Sequence, residues 1–195
     1  MSLTPVLLLI LDGYGLAPEG PGNAVRLADT PFLNRLFALP GATRIAASGR
    51  AVGLPDGYMG NSEVGHLNIG AGRVVYQDMT RIDVAMENGE LAKNPAFLEL
   101  LRSIRSRGGR LHLMGLLSDG GVHSHINHIE ALMQIAVEHG VPVLLQMFMD
   151  GRDTSPMSGV GFVEQIQKCI AGLREQHPEV PVRLASLCGR YYAMD

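Results

Sequence analysis

The sequence predicts an α/β protein built on parallel sheets in three-layer units, and three observations carry that expectation. Val6-Leu7-Leu8-Leu9-Ile10-Leu11 is an unbroken apolar run closed by Asp12-Gly13, the pattern of a strand buried on both faces. From Leu111 onward, strand-length apolar runs alternate with helix-length periodic segments, which argues for parallel strands joined by right-handed crossovers. The apolar runs also end in polar loops: Asp12-Gly13, Ser118-Asp119-Gly120-Gly121, Asp150-Gly151-Arg152-Asp153 and Gly189-Arg190. Ligands of open α/β sheets bind outside the carboxyl ends of the strands, so these loops are where chemistry is expected.

Each element has its own signal. Val6 to Leu11 reads as a central parallel strand. Thr30-Pro31 places a capping hydroxyl before a proline at the first helical position, and Phe32, Leu33, Leu36 and Phe37 recur at helical spacing, so a helix is expected to end near Pro40. Between Ser48 and Gly72 glycines are dense and apolar periodicity fades, which reads as a functional loop region with a short helix. Arg73 to Asp83 reads as a connecting segment. Asn94-Pro95 repeats the cap-plus-proline signal, and Gly108-Gly109 is the stop. Strand 111–117, helix 126–139, strand 141–149, helix 160–176 and strand 182–187 then follow.

Composition excludes several classes. With 46% apolar residues in 195, the chain can bury a substantial core, and disorder is not expected. A net charge of -3 with both signs interspersed gives no field to recruit nucleic acid or an anionic membrane. The N-terminal apolar run is short and lacks Lys and Arg, so it is neither a signal peptide nor a membrane span. Cys169 and Cys188 are too far apart for a CxxC motif; they read as reduced, mostly buried thiols of a cytoplasmic protein.

Asp12, at the end of an apolar run, could ligate a hard or borderline divalent cation, although Asp-Gly is equally an ordinary turn. In Met59-Gly60-Asn61-Ser62-Glu63-Val64-Gly65-His66, the Asn61-Ser62 pair could open a helix whose amides stabilise a phosphate. Ser62 is then either a nucleophile activated by a metal or simply the helix cap. His123, His125 and His128 lie within six residues; a three-histidine zinc site lacks a further ligand at suitable spacing, and one histidine binding an anion is the better reading. Arg152 and Arg190 each follow an apolar run, where a guanidinium either grips a phosphate or carboxylate or pairs with a neighbouring Asp. Two such arginines on adjacent strand ends favour an anion site.

Taken together, Leu9 to Gly15, Gly53 to Gly57, Gly60 to His66, Asn68 to Gln77, Ser118 to His125, Asp150 to Thr154 and Gly189 to Asp195 resemble the cofactor-independent phosphoglycerate mutases of the alkaline-phosphatase-like superfamily, in family order over the whole chain. The resemblance implies a glycolytic isomerase that interconverts 3-phosphoglycerate and 2-phosphoglycerate. It implies two divalent metals, commonly Mn²⁺ with Mg²⁺, Co²⁺ or Zn²⁺ as alternatives, and no 2,3-bisphosphoglycerate. Asp12 would be a metal ligand; Ser62 would be both ligand and nucleophile; His123, Arg152, Asp153 and Arg190 would contact substrate. It also implies a split architecture. Residues 1–76 would be part of a metal-binding phosphatase-like domain, and 77–195 part of an inserted α/β phosphotransferase domain. The Asp/His clusters that complete the family's metal sites have no counterpart here, so the expectation is a section of a longer, monomeric cytoplasmic enzyme, with these 195 residues inactive alone. A different phosphomutase or hydrolase of the superfamily, or a non-catalytic anion-binding module, is the competing reading.

Overall fold

A computed structural model describes residues 4–195, which fall into two compact units, Met1–Gln77 and Asp78–Asp195. Among the described residues no helix is long and apolar enough to cross a membrane.

In the first unit the expected strand does not form. Val6 to Leu11 has no strand partner, and its side chains are exposed, from 93% at Val6 to 39% at Ile10. The physical reason is that a strand exists only by pairing: no other strand is present among the described residues of this unit, so the apolar run has neither a ladder nor a covering face. Asp12-Gly13 makes a turn, with the Tyr14 N–H donating to the Leu11 carbonyl at 3.1 Å. A short helix α1 (Ala24–Leu27), capped by the Asn23 side chain, had no strong sequence signal. Helix α2 (Pro31–Phe37) starts at the expected proline, but Thr30 makes no side-chain cap bond.

The glycine-rich region is more ordered than its composition suggests. It holds a 3₁₀ turn (Gly49–Val52) and helix α3 (Ser62–Ala71). Asn68 ties the region together: its side-chain amide donates to the Val52 carbonyl at 2.9 Å and its oxygen accepts from the Val75 N–H at 2.7 Å. Gly53 lies at φ +88°, and a Cβ there would sit 2.0 Å from the Val75 carbonyl oxygen. Only glycine satisfies both constraints.

The second unit follows the expected order. Helix α4 (Asp78–Glu87) corrects the reading of 73–83 as a connector. Its buried face is polar, with Thr80 fully buried and Asp83 bonded to His128 at 2.7 Å, so it leaves no apolar period to detect. Helix α5 (Pro95–Ser106) is capped by Asn94, whose side chain accepts from the Phe97 N–H at 3.1 Å. Strands β1 (Leu111–Leu116), β2 (Val143–Met149) and β3 (Val182–Gly189) form a parallel sheet in the order β1-β2-β3, connected through α6 (Ile126–Glu138) and α7 (Gly159–Gln176).

The core sits where the sheet meets these helices. Val143, Leu145 and Met147 are fully buried at alternate positions of β2 and pack with Ile129 and Met133 of α6 and Ile166 and Ile170 of α7. A register shift opposite Leu145/Gln146 leaves Ala185 of β3 unpaired, so that Met149 pairs with Gly189. This one-residue bulge carries the chain forward and brings Arg190, the first residue of α8 (Arg190–Ala193), alongside Asp150. The two cysteines are free and half-buried rather than mostly buried; burial, with a smaller contribution from Glu130, pushes the Cys169 thiol up from its ordinary value.

Candidate functional site

The first unit places two predicted residues together. Asn61, not Ser62, caps α3: its side-chain oxygen accepts from the Val64 N–H at 3.0 Å. Ser62 is therefore released from capping, and its hydroxyl donates to Asp12 Oδ2 at 2.6 Å across fifty positions of sequence. The His66 ring meets the Ser62 carbonyl at 2.8 Å, a contact sequence reasoning did not flag. Both Asp12 and Ser62 are exposed. A carboxylate and a hydroxyl side by side suit a hard or borderline divalent cation, and the helix N-terminus favours negative charge nearby. These two oxygens would make only part of a coordination shell.

The second unit assembles its cluster at the carboxyl ends of all three strands. Ser118 follows β1, Asp150 and Asp153 follow β2, and Arg190 follows β3. Arg190 is buried and donates through Nη1 to Asp150 Oδ1 at 3.1 Å and to Asp153 Oδ2 at 2.9 Å. Its Nε and Nη2 donate side by side to Asp195, at 2.8 and 3.0 Å, a bidentate fork. Arg152 Nη1 lies 3.7 Å from the same Asp195 carboxylate. Two guanidinium groups thus converge on one carboxylate of the protein itself, the intraprotein pairing that the sequence left open as the alternative to an external anion. His123 Nε2 stands 3.9 Å from Asp153 Oδ2 and is half-exposed, as the rim of such a site requires.

The loops approach closely because Gly120 lacks a side chain. A Cβ there would come within 3.1 Å of Asp153 Cβ and 3.3 Å of Asp150 Oδ2. Burial pushes the Asp150 carboxyl up, but hydrogen bonds from Ser118, the Arg152 and Asp153 amides and Arg190 outweigh it and hold the group well below the usual carboxylate range. Hydrogen bonds that its N–H groups donate to Asp195 and then to Asp153 hold the Arg190 guanidinium in its charged form. The Asp195 carboxyl is likewise lowered, chiefly by Arg190.

The other two histidines serve the scaffold. His125 caps α6, accepting the Asn127 N–H at Nδ1, and His128 is buried against Asp83. The three rings thus have three different jobs, and among the described residues no cluster of three or more His, Cys, Asp or Glu is placed to hold a metal. Sequence reasoning missed Ser118, Asp150 and Asp195 as members of the second cluster. An Asp at a strand end followed by Gly-x-Asp is a turn signal that would have pointed to Asp150.

Comparisons with known proteins agree with one another. The family model described as BPG-independent PGAM N-terminus matches residues 82–195. A 2,3-bisphosphoglycerate-independent phosphoglycerate mutase of Lawsonia intracellularis is 62% identical over 195 residues, covering 100% of this chain and 37% of the relative. The enzyme of the same name from Nitratidesulfovibrio vulgaris is also 62% identical, with the same coverage. A crystal structure of Leishmania mexicana phosphoglycerate mutase, determined at low cobalt concentration, superposes with a TM-score of 0.64 at 38% identity, covering 93% of this chain and 33% of that one. The chain spans about 37% of the length of these two curated relatives. At this level of identity along its whole length, and with the family model covering most of the second unit, the chain belongs to the BPG-independent phosphoglycerate mutase family.

Proposed function

We propose that the protein carrying this chain interconverts 3-phosphoglycerate and 2-phosphoglycerate through a phosphoserine on Ser62, without 2,3-bisphosphoglycerate. The observation that carries the reading is the Ser62 hydroxyl, freed from capping by Asn61 and bonded to Asp12 at 2.6 Å. In the first half-reaction Ser62 Oγ gives up its proton and attacks the substrate phosphorus, the bond to the glycerate oxygen breaks, and that oxygen takes up a proton. In the second, the other glycerate hydroxyl gives up its proton and attacks the phosphoserine, and Ser62 Oγ leaves and takes up a proton. Asp12 accepts the serine hydroxyl's hydrogen bond and orients the nucleophile.

Phosphoryl transfer is chiefly positioning and charge neutralisation. Divalent metals, Mn²⁺ first among them, would supply neutralisation where Asp12 and Ser62 offer oxygen donors. His123, Arg152, Asp153 and Arg190 hold the substrate, and the convergence of Arg152 and Arg190 on the Asp195 carboxylate supports an anion in that place. On this reading residues 1–76 belong to the phosphatase-like, metal-binding domain and 77–195 to the substrate-holding domain of a monomeric cytoplasmic enzyme.

The test is Ser62→Ala in the full-length protein, assayed with 3-phosphoglycerate and Mn²⁺. Loss of turnover with an unchanged melting curve is expected, together with loss of the acid-stable phosphate label that wild type acquires at Ser62. A Ser62→Ala protein that still interconverts the two phosphoglycerates would remove the nucleophile from this reading.

A further inference from the structure

Asp150 has no role in the chemistry above, yet its carboxylate joins the ends of all three strands. Oδ1 accepts the backbone N–H groups of Gly151, Arg152 and Asp153 at 2.9, 3.1 and 3.1 Å, and Arg190 Nη1 at 3.1 Å. Oδ2 accepts the Ser118 hydroxyl at 2.7 Å. The side chain is 2% exposed, so it is enclosed by its partners and acts on a ligand only through them.

We propose that Asp150 is a positioning residue: its carboxylate fixes the 150–153 loop and the Arg190 guanidinium in one frame, so that Arg152, Asp153 and Arg190 face a single bound anion. Other carboxylates do not fill this role. Asp153 also meets Arg190, but it bonds none of the loop amides and is more exposed. Asp195 holds Arg190 from the far side of the fork and reaches the loop only through the long 3.7 Å ion pair with the Arg152 side chain, bonding none of its amides. Among the described residues Asp150 alone bonds loop, guanidinium and the β1 end at once, and a buried anion held by this many donors is a rigid reference point. The anion's identity as phosphoglycerate rests on the function proposed above; the positioning does not.

The experiment compares Asp150→Asn and Asp150→Ala with wild type in the full-length protein, by KM and kcat for 3-phosphoglycerate, by melting temperature, and by crystal structure. In Asp150→Asn the amide oxygen can keep the loop bonds and the amide N–H can meet Ser118, so the loop stays while one of the three carboxylate charges that hold Arg190, the one that ties it to the loop, is gone. The expected result is a folded protein with Arg190 displaced and KM raised roughly tenfold to hundredfold, the range for one charge-assisted hydrogen bond, with kcat changed less. Asp150→Ala should also move the 150–153 loop and lose more. A wild-type KM in Asp150→Asn overturns the proposal, as does a loss of activity that follows only the unfolded fraction. If wild-type protein turns over no phosphoglycerate, the functional reading fails, and the Asp150→Asn structure decides alone: Arg190 and the loop unmoved would overturn the positioning role.

Discussion

Replacing Ser118 with Ala removes a single hydroxyl from the second unit's polar cluster. Ser118 is 1% exposed and its hydroxyl donates to a carboxylate that is itself 2% exposed, at 2.7 Å. Its backbone carbonyl separately accepts the Ile126 N–H at 2.8 Å, and that bond survives the substitution, so the start of α6 is not disturbed. What is lost is chiefly one hydrogen bond to a charged, buried acceptor, worth about 1.5–3 kcal/mol, together with the long 3.4 Å bond that the hydroxyl oxygen accepts from the Gly120 N–H. Only a hydroxyl is removed, so the cavity contribution is small. The pH dependence has a definite sign. Asp150 is held below the ordinary carboxylate value, so the stability it confers is fully present above about pH 4, the unfolded value, and is lost as pH falls toward the lower folded one. Without Ser118 the folded value rises, and the gap between wild type and variant should be constant from about pH 7 to about pH 4 and narrow below it. Urea denaturation followed by circular dichroism measures this gap directly. A cost under about 0.5 kcal/mol at neutral pH, the level of an ordinary surface change, or a gap that does not narrow in acid, would refute the reasoning.

Arg152 is mostly exposed and its one ion pair is long, at 3.7 Å; Arg152→Ala in the full-length protein should leave the melting temperature unchanged while raising KM for 3-phosphoglycerate, and an unaltered KM would exclude it from substrate binding. His125 is lowered from its ordinary value by burial and then by His128, and Nδ1 must be unprotonated to accept the Asn127 N–H; stability is therefore full above about pH 6.5 and falls as the ring is forced to charge below it. His125→Asn keeps a cap of comparable strength and should flatten the stability profile below about pH 6.5, while a profile parallel to wild type in urea titrations would count against this account. Amides of Val6 to Leu11 should exchange far faster than those of Val143 to Met147, because the former are exposed and unpaired while the latter sit in the central strand of a covered sheet; equal protection in a demonstrated monomer would contradict the structure.

The second unit was legible because its determinants are local. Asn94 before Pro95 and Gly108 after the last turn mark α5 at both ends, and the strand-length apolar runs set between helix-length periodic segments mark the strands. Helix α4 escaped because the residue it buries is Thr80 and the contact it makes with α6 through Asp83 is polar. The first unit misled for a different reason: the run from Val6 to Leu11 states that it should be buried but not against what. At the sites, residue type drew attention to Ser62, His123, Arg152 and Arg190. Asp150 stayed hidden because its partners are mainly backbone amides, which have no sequence signature, and because the β3 bulge that aligns it with Arg190 is a register event that no residue type announces.

The two clusters differ in how firmly their groups are held, and the difference follows from the packing beneath them. Asp150 and Arg190 stand on paired strands over a dry core, and each is fixed by several bonds. Asp12 stands on an unpaired segment and is fixed by the turn at 11–15 and the single bond from Ser62. Catalytic groups work within about 0.5 Å of their productive geometry, a tolerance that one exposed hydrogen bond does not enforce, since such bonds contribute only about 0.5–1.5 kcal/mol net. The nucleophile is in better order, because Ser62 belongs to a capped helix whose preceding loop is pinned by Asn68 and Gly53. The placement of Asp12 against Ser62 is therefore the loosest step in the proposed chemistry. Whatever covers the apolar run from Val6 to Leu11 also sets the position of the carboxylate at its end, so burial of that run and activation of the serine should be gained together.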